Sequence, residues 1–285
     1  MMVVDHASTD SFLACAQPWL LRAEAEHNLV LGLALDLRGR PLGEALFATV
    51  EEEGRVAGCA FRTPPHKLGL TRMPAQAIAP LVDAVHRRYP GLDRVLGPSE
   101  VAAAFACEWC ERFGGTPRMG MGQLIYQLDR IVLPEPMAAG ELRVAAIEDL
   151  PLIVRWLEAF GTETAHPAHQ TEAAARTRIS AGDIVLWVDE GRPRCMAGRA
   201  ARTPKGARVG YVYTPPADRG HGYASACVAA FSARLLADGC TFCTLYTDAA
   251  NPTSNSIYLR MGYRPIAECA DWLLREPTEN TGAAA

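Results

Sequence analysis

Two eight-residue stretches, AGCAFRTP at Ala57–Pro64 and AGRAARTP at Ala197–Pro204, agree at six of eight positions. Their surroundings agree as well. VEEEGR precedes the first and VDEGRPR precedes or overlaps the approach to the second. In both, an acidic residue followed by glycine joins two strand-like runs, the signature of a β-hairpin. Another strand-like run ending in proline comes next, LGLTRMP in one half and VGYVYTPP in the other. An amphipathic helix then follows, over 78–88 and 223–237. A duplicated order of elements requires each half to bury a sheet of its own. The linker falls at Asp129–Glu141, where Pro134, Pro136 and Gly140 interrupt periodicity.

The second half continues this reading. LRVAAIEDLPLIVRWLEAF is a strand and then a helix opened by Asp149, with Pro151 in its first turn. A polar loop, GTETAHPAHQTE, leads to a short helix over 172–179. Strand-like IVLWVDEG, RCMAGRAART and ARVGYVYTP precede the helix at Tyr223, and TFCTLYTD, NPTSNSIYLRMG and YRPIAECADWLL give a strand, a helix with a glycine stop and the closing strands. Strands with interleaved helices indicate α/β or α+β layers rather than a bundle.

Composition narrows the class. About half of the 285 residues are apolar, ample for a large core, and no apolar run reaches bilayer length. The first residues carry neither the basic region nor the apolar core of a secretory signal, so a cytoplasmic protein is expected. A formal charge of −4 argues against nucleic-acid binding and points weakly toward a cationic small-molecule partner. Nine cysteines, an odd number without an export signal, are expected as reduced thiols. The pairs Cys107/Cys110 and Cys240/Cys243 share metal-ligand spacing. The second pair opens a strand, where a spacing of three points side chains to opposite faces, so no metal site is expected.

The segment VYTPPADRGHGYASACVAAF, Val212 to Phe231, is the most specified part of the chain. It turns a strand into a helix through Gly220, Gly222 and Ala224. A helix start with small residues presents backbone N–H groups and the positive end of the helix dipole, and Arg219 and His221 add donors. Anion capture, most naturally of a pyrophosphate, is the functional reading; a tight strand-to-helix turn is the structural one. The Walker pattern is absent. A dinucleotide fingerprint fails at Ser225, and two prolines separate the strand from the glycines.

Arg219-Gly-His-Gly222-Tyr-Ala224 resembles the R/Q-x-x-G-x-G/A signature of the GNAT N-acetyltransferases. LYTDAANPTSNSIYLRMGYRP, with Asn251, Tyr258 seven residues later and then Gly262, resembles the segment that follows it in that family. The resemblance covers about residues 140–275 and is strongest over 209–265. It implies two GNAT-like domains, each a mixed, mostly antiparallel twisted sheet flanked by helices: residues 1–133 without a cofactor loop, 140–277 with one, and 278–285 as a disordered tail. The degenerate first half lacks the glycine pair and the arginine after Met73.

By the same resemblance the cosubstrate is acetyl-CoA. Its pantetheine arm would lie along Val212, Tyr213 and Thr214, and its pyrophosphate on Arg219, Gly220, His221, Gly222, Tyr223 and Ala224. Asn251 would contact the arm, and Tyr258 would act as general acid toward the departing thiolate. The acceptor would be an amine of a small molecule or peptide, attacking directly, with no metal, nucleic acid or membrane involved. The base is open among Asp248, Glu163, His166 and His169, because the family's strand glutamate is replaced by Tyr246. A CoA-binding sensor without turnover is the alternative. A monomer or a homodimer is compatible with the repeat.

Overall fold

In the computed structural model, which describes residues 1–164 and 172–275, the two octamers occupy equivalent strands. In chain order the first elements are β1 (Met2–Asp5), α1 (Thr9–Leu20), α2 (Asn28–Asp36), β2 (Leu46–Glu52), β3 (Arg55–Arg62), β4 (Leu68–Leu70), α3 (Ile78–Arg88), β5 (Arg94–Pro98) and α4 (Ser99–Phe113). Next come β6 (Arg118–Leu128), β7 (Glu141–Val144), α5 (Leu150–Glu163), α6 (Glu172–Ser180), β8 (Ile184–Asp189), β9 (Arg192–Arg202) and β10 (Gly206–Tyr213). The chain continues through α7 (Tyr223–Ala237), β11 (Phe242–Asp248), α8 (Pro252–Arg260) and β12 (Arg264–Leu273). Among the described residues, no helix is long and apolar enough to cross a membrane.

Contacts gather these elements into two units. Unit 1 takes Met1–Ile125, Asp248–Ala250 and the described residues from Ala267 on; unit 2 takes Tyr126–Thr247 and Asn251–Ile266. Within unit 1, β1-β2, β2-β3 and β3-β4 pair antiparallel and β4-β5 pair parallel. Within unit 2, β7-β8, β8-β9 and β9-β10 pair antiparallel and β10-β11 pair parallel. The order and sense of pairing are the same in both. So are the hairpin turns: Glu53-Gly54 and Glu190-Gly191 all have φ between +50° and +74°. Two central residues at positive φ match the twist of the flanking strands, which is why an acidic residue followed by glycine recurs. β9 has 11 residues and β3 has 8, so the later strand is three residues longer between its turn and its terminal arginine.

The sheet of unit 1 is covered on both faces. α1 opens on Ser8, whose hydroxyl accepts the Ser11 amide, and lays Phe12, Leu13 and Ala16 against Phe47, Cys59 and Phe61. On the other face α3 buries Ile78, Leu81, Val82 and Val85 at helical spacing, with Phe105 and Trp109 of α4. In unit 2, Ile153, Trp156 and Leu157 of α5 pack on Leu186, Met196 and Tyr213.

The closing strand departs from the sequence reading, which placed all of it in the second half. Cys269–Leu273 of β12 pairs antiparallel with β5 inside unit 1. The far edge of β5 carries unpaired backbone groups that need a partner, and β12 supplies it. Asp271 fixes this strand. Its carboxylate is 2% exposed and Oδ2 accepts from Lys67 Nζ at 2.9 Å and from an Arg94 guanidinium nitrogen at 2.7 Å. Removing one partner of a buried ion pair costs ~3–5 kcal/mol. Lys67 and Arg94 keep 22% and 37% exposure. Water relieves part of that cost, so Asp271→Ala is expected to destabilise the protein by about 2–3 kcal/mol. Urea unfolding with an unchanged m-value measures this; an unaltered midpoint would show that the triad contributes nothing.

Candidate functional site

The site begins where two strands stop pairing. β10 and β11 are joined at Gly206–Phe242, Ala207–Cys243 and Arg208–Thr244. Both then run on, to Tyr213 and Asp248, without further pairs. On its other edge β10 loses register with β9 between Arg208 and Val209 and again between Gly210 and Tyr213. Tyr211, inside the second irregularity, has φ +54°. Bulges bend a strand and increase its twist. A bulky residue at positive φ costs ~1–3 kcal/mol, tolerated only where packing enforces it. Here the Tyr211 ring meets Phe160 edge-on at 6.2 Å, and the Arg178 guanidinium lies 4.7 Å from its centroid. The edge of β10 from Val209 to Tyr213 is thus unpaired toward β11. Tyr213 turns its side chain into the core beside Trp156, at 6.0 Å, so it offers the groove its main chain only.

The loop after β10 completes an anion cradle. Gly220 and Gly222 have φ +81° and +80°, and Gly222 is the N-cap of α7. A Cβ at Gly220 would meet nothing within 4 Å, and one at Gly222 would meet only Ala138 Cβ at 3.6 Å. Handedness, not space within the protein, demands glycine here. The Ala226 amide donates to Gly222 O at 3.0 Å. The amides ahead of it are the unsatisfied donors of a helix start, at the positive end of the dipole. The Tyr223 hydroxyl donates to Asp189 Oδ2 at 2.6 Å and ties this start to the end of β8. Val212 and Ala224 are half-buried and His221 is exposed, its ring stacked on Tyr223 at 5.8 Å. Arg219 bridges strand and loop: Nε donates to Thr214 O at 2.9 Å, and a terminal nitrogen donates to both Glu163 oxygens at 2.7 and 2.8 Å.

Tyr258 belongs to the same unit. α8 opens on Asn251, whose Oδ1 accepts the Ser254 amide at 3.0 Å, with Pro252 in the first turn. Thr247 Oγ1 donates to Asn255 Oδ1 at 2.6 Å, clamping the helix to β11. The half-buried Tyr258 ring lies between Tyr126 and Tyr263, at 6.3 and 5.8 Å. Burial, and secondarily the nearby Cys195, push its hydroxyl up to about 12.

Unit 1 lacks this construction. β4 has three residues and meets β5 at Leu68–Val95 and Gly69–Leu96. A Cβ at Gly97 would lie 2.9 Å from Leu70 Cβ, so these strands stay together, and among the described residues nothing at positive φ stands between β4 and α3.

The structure gathers Val212, Tyr213, Thr214, Arg219, Gly220, His221, Gly222, Tyr223, Ala224, Asn251 and Tyr258 into unit 2. Asp248 falls in unit 1, where its Oδ1 accepts the Ala250 amide at 2.8 Å. Glu163 is held by Arg219. His166 and His169 lie outside the described residues. Of the cysteines, Cys110 and Cys243 are buried, Cys107 is exposed and all are free thiols. The group of close metal-type donors among the described residues is His6, Cys15 and Glu51, which includes none of the four. The sequence reading missed Tyr211, whose bulge no local motif announces.

Residues 188–273 match the family model described as FR47-like protein. Among curated proteins none matches the sequence. A GCN5-related N-acetyltransferase from Sphaerobacter thermophilus superposes with a TM-score of 0.61 at 16% identity, covering 96% of each chain. An acetyltransferase of the GNAT family from Colwellia psychrerythraea gives 0.57 at 11% identity over 96% of this chain and 99% of its own. A tandem GNAT protein from the clavulanic acid biosynthesis pathway gives 0.52 at 13%, over 95% and 97%. This chain therefore has the GNAT fold. The FR47-like match spans the loop and α8 of unit 2.

Glu163→Gln separates two roles for that side chain. An exposed ion pair is worth at most ~1 kcal/mol, so release of Arg219 should tighten CoA binding a few-fold in calorimetry. Unchanged affinity with a lost acid limb in the pH–rate profile would make Glu163 the base instead.

Proposed function

We propose that unit 2 binds acetyl-CoA and transfers its acetyl group to an amine. The observation that carries this reading is the divergence of β10 from β11 ending at the Gly220–Gly222 helix start. An open strand edge can take an amide-bearing arm as a pseudo-strand, and the orphan amides and Arg219 suit the pyrophosphate beyond it. The FR47-like match covers both parts.

The reaction balances simply. The amine lone pair attacks the thioester carbon, the C–S bond breaks, the amine loses one proton and the thiolate gains one. A free alkylamine of pKa ~10.4 must give up its proton first, which costs about 4.6 kcal/mol at pH 7. An N–H on the Val212–Thr214 edge holds the oxyanion. Tyr258 stands at the thiolate end as hydrogen-bond donor. With its hydroxyl near 12 and an ordinary thiol near 8.5, full transfer is uphill by about 5 kcal/mol. A thiolate beside the hydroxyl disfavours the phenolate further, so Tyr258 serves by donating a hydrogen bond to the departing thiolate, which takes its proton in full only on release. Unit 1, with the same strand order and no cradle, is the degenerate partner that supports the fold.

One observation favours the sensor reading. Both described carboxylate candidates are engaged, Glu163 with Arg219 and Asp248 with the Ala250 amide. Release of free thiol from acetyl-CoA across an amine panel decides between them, since a sensor binds CoA and releases none.

Tyr258→Phe should lower kcat by about 10²-fold or more with CoA affinity retained. An unchanged kcat would return the ring to a packing role. Because the folded hydroxyl titrates only near 12, its proton is present throughout pH 6–10. The wild-type rate should therefore rise with pH as the amine deprotonates, without an alkaline fall. A fall near pH 10 that Tyr258→Phe abolishes would contradict this.

A further inference from the structure

The walls of the β10/β11 divergence carry a charge pattern that the acetyl-CoA reading leaves unused. Arg208 and Thr244 are the last paired residues before the strands separate, so they share a face, and Tyr246 lies on it two residues further on. The adjacent Cys243 points the other way, its thiol donating to Ser232 O of α7 at 3.9 Å. Arg208, Thr244 and Tyr246 accordingly face away from α7, the helix that carries the anion cradle. Arg208 places its guanidinium 5.7 Å from the Tyr246 ring centroid. On β10 itself, Tyr211 has Arg178 of α6 over its ring, at 4.7 Å. Each diverging strand thus presents a tyrosine with an arginine against it.

These two arginines differ from their neighbours. Arg143, Arg194, Arg199 and Arg219 of the same unit each hold a carboxylate, of Asp149, Asp218, Asp183 and Glu163. Among the described residues, Arg178 and Arg208 hold none, although both are half-buried. Arg178 Nε is buried without a hydrogen bond, and so is Thr244 Oγ1 at the vertex. A half-buried guanidinium without an anion and a buried hydroxyl without a partner are costly in isolation. Uncommitted guanidiniums of this kind suit a planar, multiply accepting anion.

Resting on the reading of unit 2 as an acetyl-CoA-dependent transferase, we infer that the acceptor is an amine that also bears an anionic group, a carboxylate or a phosphate, gripped by Arg208 and Arg178. The anion anchors in the vertex and leaves the amino group directed to the thioester. The formal charge of −4, which pointed toward a cationic acceptor, is a property of the whole surface. Two guanidiniums without a carboxylate partner would make the local field at this vertex positive, and a local field decides recognition at short range.

The test uses matched amines: free amino acids, their C-terminal amides, aminoalkyl phosphates and a diamine. Acetyl-CoA turnover is read as free thiol, and CoA affinity separately by calorimetry. The acidic acceptors should exceed the amides in kcat/KM by tenfold or more, and the carboxylate and phosphate arms identify which anion is taken. Arg208→Gln should erase that preference by roughly 10- to 100-fold, the range of a charge-assisted hydrogen bond, with CoA affinity unchanged. Arg178→Gln, which also touches Tyr211, is read only as the ratio of acidic acceptor to amide within the variant, and that ratio should fall by the same range. Arg208→Lys, which keeps the charge without the fork, should restore part of it. CoA binding with equal or better use of amides or the diamine overturns this inference alone. An acidic preference that survives in both Gln variants also overturns it. Failure of the wild-type protein to bind CoA overturns the transferase reading beneath it.

Discussion

The site depends on one backbone irregularity. Tyr211 at φ +54° ends the regular register of β10 with β9, and β10 parts from β11 after Arg208 and Thr244. Without that departure the edge from Val209 to Tyr213 would be consumed by a neighbouring strand, and nothing could be bound along it. The strain is sustained because Phe160 and Arg178 enclose the ring.

The two units share their pairing scheme and differ around the strand end and helix start. Both use the same strand order, the same hairpin turn at positive φ and a helix linking the parallel pair. Unit 1 stops β4 after three residues and keeps β5 within side-chain contact at Leu70 and Gly97. Its helix α3 starts without glycine, so no orphan amides are held in a left-handed turn. Unit 1 is closed at β5 by the last strand of the chain, held there by Asp271.

Charge is distributed by position rather than by total. Arg219 is shared between Thr214 O and Glu163, which holds it beside the cradle until a stronger anion competes. Arg208, by contrast, lies over the Tyr246 ring rather than against a carboxylate.

Much of this was legible in the sequence. The glycines at 220 and 222, the helix bounds at 78–88 and 223–237, and Asn251 as a cap before Pro252 rest on local backbone preferences, which act over a few residues. The repeat and its Glu-Gly turns were legible for the same reason. Tertiary structure alone decided three things: the bulge at Tyr211, the pairing of β12 with β5, and the placing of Arg178 over Tyr211 and of Arg208 over Tyr246. A bulge in a long strand arises from its neighbours' registers, a strand's partner from which edge is free, and an arginine's pairing from carboxylates distant in sequence. None of these has a short-range signal, because each is settled by contacts that exist only after the sheet has formed.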